Sequence, residues 1–222
     1  MKKDFKMRTG LIVGEDGLDK LKNANVIVFG VGGVGNITIV DFDDVDITYI
    51  NRQIPALHST VGRYKVEVMK ERLLDINPDL NIIAIKKLYN AETSDEILTE
   101  DYDYVIDAID MVTSKIKLIE TCKEKGFNII SSMGMGNKLD PTKIVVTDIY
   151  KTHTCPLAKV LRRELKDRRI KKLKVVYSTE QPRELQERIM NGRKVTPGSI
   201  SFVPSVGGLT IASVVVRELL ER

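Results

Sequence analysis

Residues 25–42 read NVIVFGVGGVGNITIVDF. The apolar run after Asn25 stops at Gly30, as a strand buried on both faces does. Directly behind it, Gly30-Val31-Gly32-Gly33-Val34-Gly35 has the spacing GxGxxG. Glycines so placed let bare backbone approach phosphates and aim amides at an anion. Alone the motif is a weak sign, since glycines also serve plain tight turns. A second strand, residues 37–42, follows with only Asn36 between it and Gly35. A crossover between parallel strands takes a dozen or more residues, usually a helix. Two readings stay open: the phosphate loop lacks its helix, or a segment is absent between Gly35 and Asn36. The second is favoured because the rest of the chain obeys the crossover rule. An intact Gly35–Asn36 peptide bond would have a C to N distance of about 1.33 Å.

Outward from this stretch, short apolar runs alternate with amphipathic ones. Residues 17–22 read as the end of a short helix. Val66, Met69, Leu73 and Ile76 have helical spacing within residues 62–76, and Pro78 closes that helix. A strand over 81–86, a helix over 94–100, a strand over 104–109, a helix over 114–125 and a strand over 128–132 continue the pattern. Later strands are expected at 144–148 and 174–178, with a basic helix over 156–172 between them and an apolar helix over 207–221 at the end. The alternation predicts an α/β fold, a Rossmann-like doubly wound and mostly parallel sheet with a C-terminal extension. No repeat or low-complexity linker divides the chain, so residues 1–222 are expected to form a single domain.

The bulk properties set bounds. With 222 residues, 42% of them apolar and 30% charged, the chain can bury a large core. A formal charge of +4 permits a polyanionic partner without requiring one. Cys122 and Cys155 are too few for a disulfide framework and form no CxxC pair, which points to a reducing, cytoplasmic setting. No run approaches the length of a membrane span, and the final apolar helix is expected to be too short to cross one.

The residues past the second strand raise the signal. Asp41 and Asp43 stand at a strand's C-terminal end, where ligands of open α/β sheets bind, and the Asp41 carboxylate can accept both hydroxyls of a ribose. Asn51, Arg52 and Gln53 follow, and then Lys65 near the start of a helix. Two cations and two amides within one crossover of a phosphate loop suit a triphosphate better than a dinucleotide. A guanidinium binds phosphate oxygens in pairs and an ammonium acts as a point charge, so Arg52 and Lys65 can stabilise a departing pyrophosphate. Ordinary surface charge is the plainer reading of each alone. Asp107 and Asp110 end a further strand. One of them can hold Mg²⁺, which favours one or two carboxylates plus substrate phosphates, and the other can cap the next helix.

GVGGVG, DFDD, INRQ, GRYK and DAID, in this order over residues 7–129, resemble the ubiquitin-activating-like superfamily, which includes the molybdopterin and thiamine sulfur-carrier adenylating enzymes. The resemblance implies ATP and Mg²⁺ as ligands, with Gly30, Gly32, Gly33 and Gly35 around phosphate and Asp41 on ribose. It implies Arg52 and Lys65 on the reacting phosphates and Asp110 on the metal. It also implies a homodimer in which Arg8 extends into the partner's nucleotide site. The second half, SSMGMGNKLDPTKIVVTDIYKTHTCPLAKVLRREL with VVYSTEQP and PGSISFVPSVGGLTIAS, resembles the tRNA threonylcarbamoyladenosine dehydratases. Tyr49 departs from the superfamily pattern, which has asparagine there.

That resemblance implies activation of a threonine-derived carboxylate on a tRNA adenosine by ATP. A carboxylate is a poor electrophile, and a transferred adenylyl or phosphoryl group supplies its leaving group. The nucleophile lies within the substrate, so effective concentration replaces a covalent enzyme intermediate. Cys155 need not take part, and Cys122 has the spacing of a core residue. Between Lys159 and Lys174 nine Lys or Arg residues face only Glu164 and Asp167, a tract that can bind tRNA phosphates or simply be solvated. The rival reading is adenylation of a small sulfur-carrier protein, for which the usual zinc-binding CxxC pairs are missing. A nicotinamide-dependent oxidoreductase has no use for Arg52 and Lys65. An accessory protein, of a sulfur relay or another kind, remains compatible with all of this.

Overall fold

The computed structural model describes residues 4–30, 36–99, 101–192 and 194–222. One sheet holds β1 (Asn25–Phe29), β2 (Asn36–Val40), β3 (Asn81–Ile85), β4 (Tyr104–Asp107), β5 (Ile129–Ser132), β6 (Ile144–Asp148) and β7 (Lys174–Ser178). Their lateral order is β3-β2-β1-β4-β5-β7-β6, parallel throughout except for the antiparallel β6–β7 pair. The helices are α1 (Met7–Asn23), α2 (Lys65–Ile76), α3 (Ser94–Ile97), α4 (Val112–Lys125), α5 (Pro156–Asp167) and α6 (Phe202–Leu220). The expected doubly wound α/β sheet is therefore present.

Strand register sorts the layers. Val26 pairs with Ile37 and Ile37 with Ile82, so these three point to one face. On that face α2 covers Ile37, Ile39 and Ile82 through Val66 and Met69, and α6 covers Val26, Val28, Tyr104 and Ile106 through Ile211, Val214 and Val215. The opposite face buries Ile27, Phe29, Val105 and Val175 under α4 and α5, through Leu118, Ile119, Leu161 and Leu165. Both faces are apolar because both are covered, which is why the strands read as continuous apolar runs rather than alternating ones.

Several elements differ from the expected bounds. Helix α1 starts ten residues before residue 17 and kinks at Gly14, whose φ of 73° leaves the helical region. Its buried residues are Gly10 and Gly17, so no apolar stripe announced it. Helix α5 ends at Asp167, not at residue 172. Arg169 takes a left-handed φ of 58°, its amide donates to Lys166 O, and the Ile170 amide donates to Leu165 O. This double bond closes the last turn in the way a glycine usually does. Helix α6 begins at Phe202 and has 19 residues, long and apolar enough to cross a membrane by length and composition, contrary to the shorter helix expected. Val203, Gly207, Ile211, Val214, Val215 and Leu219 of α6 are buried. The short hairpin of β8 (Met190–Asn191) and β9 (Lys194–Val195) was not foreseen.

Strands β1 and β2 pair in parallel from Asn25–Asn36 to Phe29–Val40, although only six residues join Phe29 to Asn36. Gly32, Gly33, Gly35 and the Gly35–Asn36 bond lie outside the described residues.

Candidate functional site

The chain leaves β1 for β2 and β3 on one side, then returns to β4 on the other. Such a reversal opens a crevice at the carboxyl ends of the strands. Gly30 stands there with φ of 91°, its amide donating to Val40 O at 3.2 Å. A Cβ on it would meet the Ala108 Cβ at 2.9 Å, too close for any real pair. The Ala108 amide donates to Phe29 O at 2.8 Å. Glycine at position 30 thus lets the β4–α4 turn close against the end of β1.

Asp41 follows β2 and is half-buried. Its carboxylate accepts the Asp43 amide at 2.9 Å. Burial pushes the carboxyl up from its ordinary value, against the lowering effects of that hydrogen bond and of the Lys65 charge. Lys65 is the first residue of α2, is 6% exposed, and its Nζ lies 2.8 Å from Asp43 Oδ2. Its own amide donates to Asp43 O at 3.1 Å. Asp43 is thereby the counter-ion of Lys65.

Tyr49 links the cations. The Lys65 Nζ sits 4.5 Å and the Arg52 Cζ 5.2 Å from the centre of its ring. A ring face attracts cations, so Tyr49 holds two like charges near one another. Arg52 also donates through Nη1 to Thr48 O at 2.9 Å and to Asn51 Oδ1 at 2.8 Å. Asn51 donates through Nδ2 to Ser199 O at 3.0 Å, tying this crossover to the loop before α6. The Gln53 amide closes the same turn onto Tyr49 O at 2.8 Å. Asp46 starts it by accepting from the Thr48 amide and hydroxyl. Arg52 and Lys65 are therefore gathered around one aromatic residue, Tyr49, and Asp43 and Asp41 join them through the Lys65 ion pair and the Asp43 amide.

Asp110 is exposed in the turn between β4 and α4. Asp107, expected as the alternative metal ligand or a helix cap, is neither exposed nor a cap. The residue capping α4 is Met111, without a side-chain bond. Asp107 is fully buried, and its Oδ2 takes the Ser131 hydroxyl at 2.6 Å and the Lys115 ammonium at 2.9 Å. Its Oδ1 accepts the Ile109 amide at 3.1 Å, and Lys115 Nζ donates to Ile109 O at 3.0 Å. Lys115 is likewise 0% exposed. Sequence reasoning missed it, though a lysine at core spacing with Leu118 and Cys122 was the available signal.

The remaining candidates are placed elsewhere. Cys122 lies in the core, where burial pushes its thiol up to about 12. Cys155 is buried ahead of α5, and the His153 ring packs edge-on against Tyr177 at 5.8 Å. Lys138, also buried, donates to Ser178 O and Glu180 O, and burial pushes its ammonium down. In the basic tract, Arg162 binds Thr152 O at 2.9 Å, Arg163 pairs with Glu164, and Arg168 pairs with Glu164 and Glu120. Lys159, Lys166, Arg169, Lys171 and Lys172 are exposed. Arg8 is exposed on α1.

Residues 6–221 match the ThiF family. A tRNA threonylcarbamoyladenosine dehydratase from Bacillus subtilis (strain 168) is 44% identical over 238 residues, covering 96% of this chain and 94% of that one. The structure of E. coli tRNA N6-threonylcarbamoyladenosine dehydratase, TcdA, in complex with AMP is similar with a TM-score of 0.89 at 31% identity, covering 99% of this chain and 96% of that one. The same E. coli protein in complex with ATP is similar with a TM-score of 0.88 at 30% identity and the same coverage. The B. subtilis match runs over 238 positions against 222 residues here, so at least 16 positions have no counterpart in this chain.

Proposed function

Since this chain belongs to the ThiF family, we propose that it is an ATP-dependent tRNA threonylcarbamoyladenosine dehydratase. It activates the threonine-derived carboxylate of the modified adenosine, and the adjacent carbamoyl unit closes a ring with net loss of water. One observation carries this reading: Arg52 and Lys65 converge on Tyr49 beside Asp41, at the switch point where a nucleotide enters an α/β sheet. The likeness to the B. subtilis dehydratase over nearly the whole chain supports the substrate.

ATP lies with its ribose on Asp41 and its phosphates toward Gly30, Gly32, Gly33, Gly35, Arg52 and Lys65, with Asn51 and Gln53 shaping the pocket. The two cations stabilise charge that grows on the departing phosphate oxygens. Asp43 orients Lys65 for that task. Asp110, an exposed carboxylate after β4, would hold a magnesium ion, and the ion when bound would neutralise phosphate charge. The protein acts in the cytoplasm as a homodimer, with Arg8 reaching the partner's site. Leu11 and Ile12, 71% and 86% exposed next to Arg8, support a pairing surface there. An accessory protein can join in the cell.

Incubation with ATP, Mg²⁺ and threonylcarbamoyladenosine-containing tRNA, followed by nucleoside mass analysis, tests the proposal. Loss of one water from the nucleoside supports it. An unchanged nucleoside together with AMP attached to a sulfur-carrier C-terminus would replace it with the adenylation reading, and preference for NAD over ATP would remove both.

A further inference from the structure

The buried ion pair under the β4–α4 turn has no part in the reaction as described, yet between them its two members hold both backbone polar groups of Ile109, the residue before Asp110. Lys115 reaches back from α4 to Asp107 Oδ2 at 2.9 Å and to Ile109 O at 3.0 Å. Asp107 in turn grips the Ile109 amide at 3.1 Å through its other oxygen. Both polar groups of Ile109 are therefore held from below, one by each member of the pair. Ser131 on β5 fixes Asp107 laterally with a 2.6 Å hydrogen bond. The Ala108 amide is pinned to Phe29 O, and the Ala108 methyl lies where a Gly30 side chain would be. What this frame leaves projecting is the exposed Asp110.

We infer that Lys115 is a positioning residue for Asp110, acting through Asp107 and the Ile109 peptide. A pair merely filling the core has no reason to bond both backbone polar groups of one turn residue, and apolar residues of similar volume serve packing equally well or better. The fixed turn holds the Asp110 backbone in place before ligand arrives, so binding does not have to order it. This rests on the proposed ATP reading, in which Asp110 faces the metal-bound phosphates.

The test is a cycle of Lys115→Met and Asp110→Ala, with ATP affinity measured by calorimetry in Mg²⁺ and in EDTA. Lys115→Met is expected to weaken binding about ten-fold in Mg²⁺ and less than about two-fold in EDTA. In the Asp110→Ala background the same change is expected to add less than about two-fold. Additive losses would overturn the inference. Hydrogen exchange provides the second readout: amides 109–111 should exchange about ten-fold faster in Lys115→Met while β4 keeps its protection. Unchanged exchange there would also overturn it, even for a protein that binds no ATP, an outcome that sinks the ATP reading by itself. Should Lys115→Met not fold, Ser131→Ala loosens Asp107 while leaving the charges paired. It is expected to move both readouts in the same direction by a smaller factor, and no movement counts against the inference.

Discussion

Lys65 Nζ lies 2.8 Å from Asp43 Oδ2, and 93% of its side chain is hidden from solvent. A buried ammonium without its counter-ion is costly, so Asp43 stays paired with Lys65. Lys65→Met removes the cation and leaves Asp41 and Asp43 facing an anionic ligand. ATP affinity is expected to fall about 10- to 100-fold, the worth of a charge-assisted hydrogen bond. Calorimetric titration gives the number, and an affinity within a factor of two of the wild type would remove Lys65 from the phosphate site.

Burial raises the Asp41 carboxyl above 3.8. A carboxyl raised on folding favours the folded state fully below its unfolded pKa and loses that contribution as pH rises through the folded pKa. Ionised Asp41 therefore costs stability at neutral pH. Asp41→Asn, which keeps an acceptor for the Asp43 amide, is expected to raise the ligand-free Tm by about 2 °C at neutral pH. The gain should vanish below about pH 4, where aspartate is protonated in both states. ATP affinity should drop in the same variant because the ribose loses an anionic acceptor. A Tm gain that does not depend on pH would show that ionisation is not its cause.

The strands and the start of α2 were legible where one local signal sufficed. Asn25 to Gly30 is apolar and ends in glycine, and β1 lies there; Lys65 follows a turn and opens α2. Signals that need two distant elements were not legible. Asp107 and Lys115 meet only because α4 folds back under β4, so the sequence left Asp107 as a cap or ligand. Arg169 closes α5 in a left-handed conformation that residue type does not announce, and the basic run hid the helix end. Tyr49 departs from the superfamily pattern, and only the fold shows its ring close to two cations.

The same folding changes what the basic tract can bind. Arg162, Arg163 and Arg168 have protein partners, whereas Lys166, Arg169, Lys171 and Lys172 are exposed around the end of α5. Reversing those four charges is expected to weaken tRNA binding by at least about ten-fold at low salt and flatten its salt dependence. ATP affinity should not change, because the tract runs from the last turn of α5 toward the start of β7, at the edge of the sheet opposite the strand ends that carry Gly30 and Asp41. Filter binding across a salt series checks this. An unaltered slope would leave the tract as a solvated surface.

Six residues return the chain from Phe29 to Asn36, against a requirement of about a dozen for a helical crossover. A helix N-terminus offers free amides and a positive partial charge to phosphate. Inserting about a dozen helix-forming residues between Gly35 and Asn36 gives the return its usual length without touching Asp41, Arg52 or Lys65. ATP affinity is expected to tighten by at least about ten-fold, the scale of one charged hydrogen bond to backbone amides. Circular dichroism and Tm confirm that the sheet survives the insertion. An intact protein with unchanged ATP affinity would mean that the side chains around Tyr49 set nucleotide binding here and the helix adds nothing.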